Sequence, residues 1–274
     1  MKKLIFSAIL ALGSCLGCHA QFQGIDVDKL ALLVQQASTL PRDNALLVMN
    51  STMTALSENP MGYRKALEFA ETRLGNPADS LHNEDLFIAC LEHATKSYVL
   101  GNSEKDRPRL LLEAARKNRI GTPAADIEYV TADGKSHHLT EACEQYTLVY
   151  FNDPDCDACE KVKTRMAQSQ TLKSYVDQGL LKVVAIYPED NQKLWKKATY
   201  PTWMVNGWDK KQQIENDGTY MMPASLPVFY LLSPDKTVLM KNEPSLNRIE
   251  AALAKVMVSA DKDPQSLVTL LFNR

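Results

Sequence analysis

The feature that most constrains this chain is a Cys-x-x-Cys pair that closely follows an apolar run. Thr147 to Phe151 is a short apolar segment of the strand type, and Cys156 and Cys159 come soon after it. A helical pattern, Glu160 to Gln168, then begins at the second cysteine. A strand, a sharp turn and two cysteines at a helix start are typical of a thiol–disulfide redox site.

Length, net charge and cysteine count limit the kinds of protein that could carry this Cys pair. The 274 residues are enough for one large or two ordinary domains. The formal net charge of −2 excludes an overall basic field for nucleic acid. Six cysteines are too few for a disulfide scaffold, so the pair is not one of many structural bridges.

Residues 1–20 predict an export signal. Lys2 and Lys3 supply the positive start, and Leu4 to Leu12 forms a short apolar core. Cys18-His19-Ala20 places small residues before a plausible cleavage site. Export leads to an oxidising compartment, here the periplasm, where a Cys-x-x-Cys pair can cycle or rest as a disulfide.

Residues 1–20 could alternatively be a lipoprotein signal that leaves the protein attached to a lipid anchor. Leu12-Gly13-Ser14-Cys15 resembles a lipobox, and Cys18 also follows a glycine. Cleavage after Ala20 would remove both cysteines, whereas lipidation would keep one of them. We therefore expect membrane attachment only if Cys15 or Cys18 is lipidated.

Residues 25–119 predict an all-helical N-terminal domain, because apolar residues recur there at helical spacing between Pro and Gly breaks. The predicted helices are Val27–Ala37, Asp43–Leu56, Met61–Leu74, one that starts at Asn83, and Arg107–Ile120.

Residues 121–258 predict an α/β domain, and 259–274 a C-terminal tail. Asp133-Gly134 predicts a hairpin between two extended runs. The strands are Ile127–Val130, Lys135–Leu139, Thr147–Phe151, Leu180–Tyr187, Val228–Leu232 and Thr237–Met240. The helices are Thr140–Gln145, one from Cys156, Thr171–Gln178, Asn191–Ala198 and Asn247–Val256, with 199–220 irregular and aromatic. This order predicts a central mixed sheet flanked by helices, the thioredoxin-like α/β fold.

The helix start explains why two cysteines at this spacing are useful. Unpaired backbone N–H groups and the helix dipole favour negative charge on the first sulfur. Cys156 is therefore the expected nucleophile toward a substrate disulfide. Cys159, about one helical turn later, would attack the mixed disulfide and release the product.

Several stretches resemble exported thioredoxin-like proteins of the TlpA/ResA group. They are Gly121 to Ile127, the Asp133-Gly134-Lys135 hairpin, Tyr150-Phe151 before the Cys pair, and Ser225-Leu226-Pro227 before an apolar strand. The resemblance covers roughly 121–257, and the helical part resembles N-terminal domains of unassigned function.

The resemblance implies a second half of the site. Pro227 would be a cis-proline beside the pair, and the backbone before it, at Leu226, would pair with a substrate strand. Asp155 and Trp203 complete the candidate substrate groove, although Trp203 has packing as its alternative role. The implied activity is that of a periplasmic thiol–disulfide oxidoreductase with no cofactor and no metal.

The implied partners are cysteine-containing exported proteins and a membrane electron carrier that recycles the pair, with no nucleic acid.

Three positions depart from the group's pattern. Asp155 stands where Trp is common, Ala158 where Pro is common, and Tyr150 where thioredoxin has a buried acid. The pair also lies in an acidic collar, which we define as Asp153, Asp155, Asp157 and Glu160. Each exposed carboxylate opposes a nearby thiolate by roughly 0.5–1 kcal/mol. The helix terminus favours the thiolate by about 0.3–1 kcal/mol, so the two effects nearly cancel.

Other functions remain open at this point. The pair could be a resting disulfide in a thioredoxin-fold binding module whose helical domain recognises a partner. It could be half of a zinc site, although Cys90, Cys143 and His137-His138 lack matching spacing. A peroxidase of the peroxiredoxin type would place Thr where Asp153 stands.

Overall fold

The computed structural model describes residues 27–77, 79–220, 222 and 225–260. These residues form two compact units. The first comprises residues up to Gly75 together with Asn83–Pro108, and the second comprises Asn76–His82 together with residues from Arg109 onward. The predicted export signal, Cys15, Cys18 and nearly all of the predicted tail lie outside the described residues.

The first unit is helical, as predicted. Two helix starts follow from asparagine caps: Asn59 Oδ1 accepts the Gly62 N–H with Pro60 at the first helical position, and Asn83 Oδ1 accepts the Leu86 N–H. The helices are α1 (Val27–Ala37), α2 (Arg42–Leu56), α3 (Pro60–Phe69, continued by a π-turn to Leu74) and α4 (Glu84–Lys96). Helix α5 (Asp106–Arg116) begins in this unit and continues into the second.

The core of the first unit lies along the apolar faces of these helices. Met53, Tyr63, Leu74, Leu86 and Ala94 are among its buried side chains. None of the helices in the described part of the chain is long and apolar enough for a membrane crossing.

The second unit contains the sheet. Its strands are β1 (Glu128–Thr131), β2 (Ser136–His138), β3 (Tyr146–Phe151), β4 (Leu181–Tyr187), β5 (Met204–Trp208), β6 (Val228–Leu232) and β7 (Val238–Glu243). Its helices after α5 are α6 (Asp157–Gln168), α7 (Gln170–Asp177), α8 (Gln192–Lys197), α9 (Gln213–Asn216) and α10 (Leu246–Ala260). The strand order is β2-β1-β5-β4-β3-β6-β7.

The sheet is mixed, and β3 lies near its centre. Strand β3 is parallel to β4, which is parallel to β5, whereas β6 runs antiparallel to β3 and β7. All residues of β3 and of β6 are buried. Both faces of these strands are therefore covered, which is why they appear in the sequence as continuous apolar runs.

Alternate residues of β3 belong to different core layers. Tyr146, Leu148 and Tyr150 pack with side chains of α6, α7 and α10 on one face. Val149 and Phe151 pack on the other face with side chains of β1, β6 and α9. This two-residue alternation confirms the predicted sheet with helices on its faces, the thioredoxin-like α/β fold.

The prediction that 199–220 is irregular was wrong. This stretch contains β5, between β4 and β1, and the short helix α9. Asn206 and Gly207 weaken the strand pattern because both residue types are depleted in strands. The glycine is needed for packing: a Cβ there would lie 2.7 Å from Tyr129 Cδ2 and 2.8 Å from Ile186 Cδ1.

Two predicted helical segments also needed correction. Residues 140–145 form no helix, since the Thr140 N–H bonds to Asp126 Oδ1 and the Glu141 N–H to the His138 carbonyl. The predicted helix Arg107–Ile120 ends at Arg116. Asn118 adopts a left-handed φ of 51°, and its amide bonds to the Thr219 carbonyl and the Ala125 N–H. These tertiary partners replace the helical hydrogen bonds.

Gly207→Ala should destabilise the second unit by about 1–3 kcal/mol, because the added methyl group overpacks the sheet. The measurement is urea unfolding followed by tryptophan fluorescence, since all three tryptophans (Trp195, Trp203 and Trp208) lie in the second unit. Gly101→Ala in the first unit is the control, because its nearest neighbour would be 3.4 Å away. Equal midpoints for both variants would contradict the packing argument.

Candidate active site

Strand pairing brings the two predicted halves of the site together. Phe151, the last residue of β3, pairs with Val228, the first residue of β6. The Cys pair follows β3, and Leu226-Pro227 directly precedes β6. The Leu226–Pro227 peptide bond is cis. Residues about 70 positions apart in the chain therefore meet where β3 ends and β6 begins.

Cys156 is the N-cap of α6 and is partly exposed. Its Sγ accepts a hydrogen bond from the Cys159 N–H at 3.3 Å and lies 3.8 Å from the Leu226 carbonyl oxygen. The backbone N–H groups of a helix N-terminus stabilise negative charge placed at this position. Of the two sulfurs, the Cys156 Sγ is therefore the one that an external disulfide can reach.

Cys159 lies behind Cys156 and is only 2% exposed. Burial and the hydrogen bond with Cys156 raise the pKa of the Cys159 thiol to about 12. The Asp153 N–H, 3.5 Å from the Cys159 Sγ, partly offsets this effect. Both cysteines are free thiols here. The Cys156 sulfur is therefore the more accessible of the two, and the Cys159 sulfur is shielded from solvent.

The acidic collar lies mostly in solvent. Asp155, Asp157 and Glu160 are exposed, and Asp153 is half-buried with its Oδ1 accepting the Asp155 N–H at 2.9 Å. Glu160 also forms an ion pair of 2.6 Å with Lys163. Solvent and this ion pair screen the repulsion that the collar exerts on a thiolate.

A layer of polar groups supports the first turn of α6. Tyr150, which stands at the position of the acid in thioredoxin, donates its O–H to the Cys159 carbonyl at 2.7 Å. Tyr200 donates to the Oδ1 of the buried Asn152 at 2.7 Å, and the Lys163 ammonium lies 5.2 Å from the centre of the Tyr200 ring. Burial raises the pKa of both phenols, so they remain donors at neutral pH.

Sequence reasoning missed Asn152, Tyr200 and Lys163. A signal was available only for Asn152, a polar residue directly after a fully apolar strand and before the Cys pair. Its Nδ2 donates to the Tyr150 carbonyl at 3.1 Å. Tyr200 lies on an irregular segment, and nothing in its sequence neighbourhood relates it to the pair.

The remaining candidate groove residues differ in position. Leu226 presents its carbonyl to Cys156 and packs its half-buried side chain on the core, whereas Asp155 is exposed at the start of the turn. Trp203 packs against the core layer that contains Tyr150 and Phe229. Trp203 is only half-buried, so part of its side chain is exposed.

The cysteines and histidines outside the pair lie elsewhere. Cys90 is buried, and burial raises its pKa to about 12. His137 stacks on Tyr129 at 5.5 Å, and His138 Nδ1 lies 2.5 Å from Asp126 Oδ2. Within the described ranges, no group of three or more His, Cys, Asp or Glu side chains could hold a metal ion.

Comparison with solved structures supports the same architecture. A thioredoxin-like protein from Bacteroides caccae has a TM-score of 0.77 and 28% identity, covering 88% of this chain and 86% of that protein. The C-terminal domain of an uncharacterized Bacteroides fragilis protein is 33% identical, covering 50% of this chain and 98% of the domain, with a TM-score of 0.48.

The thioredoxin domain of a thiol–disulfide oxidoreductase from Bacteroides vulgatus is 19% identical, covering 50% of this chain and 97% of the domain, with a TM-score of 0.44. No protein-family model and no curated protein matches the sequence.

The fold and the position of the Cys pair define this chain as a thioredoxin-like protein. More particularly, it joins an N-terminal helical part to a thioredoxin-like sheet, and its similarity to the Bacteroides caccae protein extends over both parts.

Brief treatment of the reduced, folded protein with iodoacetamide should label Cys156 and spare Cys159. Cys159 is buried and its pKa is about 12, so we expect it to react more than ~100-fold more slowly. Peptide mass spectrometry measures both rates, and Cys90, with a similar pKa, is the internal control. Comparable labelling of Cys156 and Cys159 would contradict the assigned order.

Proposed function

We propose that this chain is a thiol–disulfide oxidoreductase that exchanges disulfides with cysteine-containing exported proteins. The observation that carries the proposal is the position of the Cys156 sulfur. It lies at the N-terminus of α6, 3.8 Å from the carbonyl that precedes the cis-proline Pro227, with the Cys159 thiol buried behind it.

The first step forms a mixed disulfide. The Cys156 thiolate attacks one sulfur of the substrate disulfide, the substrate S–S bond breaks, and the released substrate thiolate takes up a proton. Cys159 then loses its proton and attacks the Cys156 sulfur. The mixed disulfide breaks, the second substrate thiol leaves, and two electrons have passed to the substrate. The reverse sequence oxidises a substrate dithiol.

The backbone at Leu226 supplies the complementary binding surface. Its carbonyl faces the attacking sulfur, so an extended substrate segment that donates a backbone N–H there would hold its disulfide beside Cys156. The partly exposed Leu226 side chain and the exposed Asp155 would border this segment.

The cellular compartment of the protein is inferred from the predicted export signal and not from the geometry of the active site. Residues 1–20 favour export to the periplasm, or an anchored form if Cys15 or Cys18 is lipidated. A membrane electron carrier would then restore the pair after each turnover. The reduction potential of the pair, measured in a glutathione buffer, determines the direction of exchange.

Substituting each cysteine separately tests this function. With a disulfide-bonded peptide as the substrate and glutathione as the reductant, Cys156→Ser should lower turnover to the uncatalysed rate. Mixed with the same peptide in the absence of glutathione, Cys159→Ser should accumulate a mixed disulfide with Cys156, because no resolving thiol is present. Non-reducing gels and mass spectrometry detect this adduct.

Cys90→Ala is the matched control, because Cys90 is a buried thiol in the other unit. It should retain turnover. If Cys156→Ser also retains turnover, the chain is not an oxidoreductase at this site. Partner binding that survives in Cys156→Ser without turnover would instead favour the binding-module function.

Release from the mixed disulfide should accelerate with pH. Burial raises the pKa of Cys159 to about 12, so only a small fraction of the resolving thiol is ionised at neutral pH. That fraction, and with it the release rate, should rise about tenfold per pH unit from pH ~7 to ~9. Stopped-flow decay of a preformed Cys156 mixed disulfide measures this rate, and a flat profile would contradict it.

A further inference from the structure

A second pair of reactive groups lies at the opposite end of β3. Cys143 precedes β3, and its Sγ accepts a hydrogen bond from the Lys236 ammonium at 2.9 Å. Lys236 belongs to the turn between β6 and β7. Since β3 separates Cys143 from the Cys156 end of the sheet, the two sites are about 20 Å apart.

Lys236 is a buried cation. The residue is only 6% exposed, and its ammonium donates to two groups, the Cys143 sulfur and the Thr147 Oγ1 at 2.8 Å. A buried charge is costly unless an opposite charge compensates it. The Thr147 hydroxyl is neutral, so Cys143 is the contacted group that, as a thiolate, would compensate the charge of Lys236.

The surroundings of Cys143 are consistent with this pairing. Burial alone would raise the pKa of Cys143, but the hydrogen bond and charge of Lys236, together with hydrogen bonds from the backbone at Gln145 and from Thr147, outweigh it, and the pKa is lowered.

Other titratable groups at this end of the sheet are Tyr129, which interacts electrostatically with Cys143, and the exposed Glu141 and Glu144. Asp235 accepts hydrogen bonds from Ser233 and Thr237 instead of from Lys236.

We propose that Cys143 and Lys236 form a peroxide-reactive site, separate from the Cys156–Cys159 pair, at which Cys143 is converted to a sulfenic acid. Cys143 is only partly buried, which leaves a route for a small hydroperoxide to its sulfur. A partly exposed sulfur beside a cation has the features of an oxidation-sensitive cysteine.

The reaction balances within the pair. The Cys143 thiolate attacks one peroxide oxygen, the O–O bond breaks, and the leaving hydroxide takes a proton from the Lys236 ammonium to form water. Sulfur is oxidised by two electrons and the peroxide is reduced. The thiolate–ammonium pair is neutral before the reaction, and the sulfenic acid with a neutral amine is neutral after it. No uncompensated charge is left in the buried site.

The test uses the full chain with Cys156→Ser and Cys159→Ser, so that failure of the proposed oxidoreductase activity cannot affect the result. Hydrogen peroxide is the probe, dimedone traps the sulfenic acid, and mass spectrometry locates it. We expect labelling at Cys143 and none at the buried Cys90. Lys236→Met should slow labelling of Cys143 by at least about tenfold at neutral pH, and Lys236→Arg should retain most of the rate.

Two outcomes would overturn the proposal: no adduct at Cys143, or the same rate in a folded Lys236→Met variant. If Lys236→Met does not fold, the pH profile of the parent variant decides instead. Because Lys236 lowers the pKa of Cys143, its rate should fall less between pH ~9 and ~7 than the rate of a free cysteine peptide, which loses up to about tenfold per pH unit. A labelling rate at Cys143 that falls with pH as steeply as that of an ordinary thiol would contradict the proposed Cys143–Lys236 site.

Discussion

The antiparallel pairing of β3 with β6 is the interaction on which the rest of this structure depends. Both strands are buried on both faces, and their register runs from Thr147 opposite Leu232 to Phe151 opposite Val228. A shift by one residue would exchange the two core layers, so the alternation of side chains specifies the register strongly. Each end of this pair then carries a distinct chemical site.

At one end, the register places the Cys156 sulfur beside the Leu226 carbonyl. The difference between the two cysteines follows from depth: Cys156 caps a helix at the surface, whereas Cys159 lies one turn inward and is buried. Tyr150 and Asn152 satisfy polar groups beneath that turn. Neutral hydrogen-bonding groups, the Tyr150 phenol and the Asn152 amide, thus occupy the space beneath the pair.

At the other end, the same strand pair brings Lys236 to Thr147 and Cys143. The ammonium is buried because its turn follows β6, whose residues lie in the core. Cys143 had no recognisable role in the sequence, where it is a solitary cysteine between Ala142 and Glu144. The reactivity that we propose for it depends on a lysine 93 positions later.

The sequence by itself determined the Cys pair, the apolar strands and most helix starts, because these depend on local periodicity, capping and turn residues. The expectation that Pro227 lies beside the pair came from the family resemblance. Strand β5 was missed, since Asn206 and Gly207 are unfavourable locally and are explained only by the close approach of Tyr129 and Ile186. The absence of a helix at 140–145 likewise depends on Asp126, which binds the Thr140 N–H. Only the tertiary structure decided which cysteine is buried and which polar groups lie beneath it, because burial and hydrogen bonding are set by residues distant in the chain.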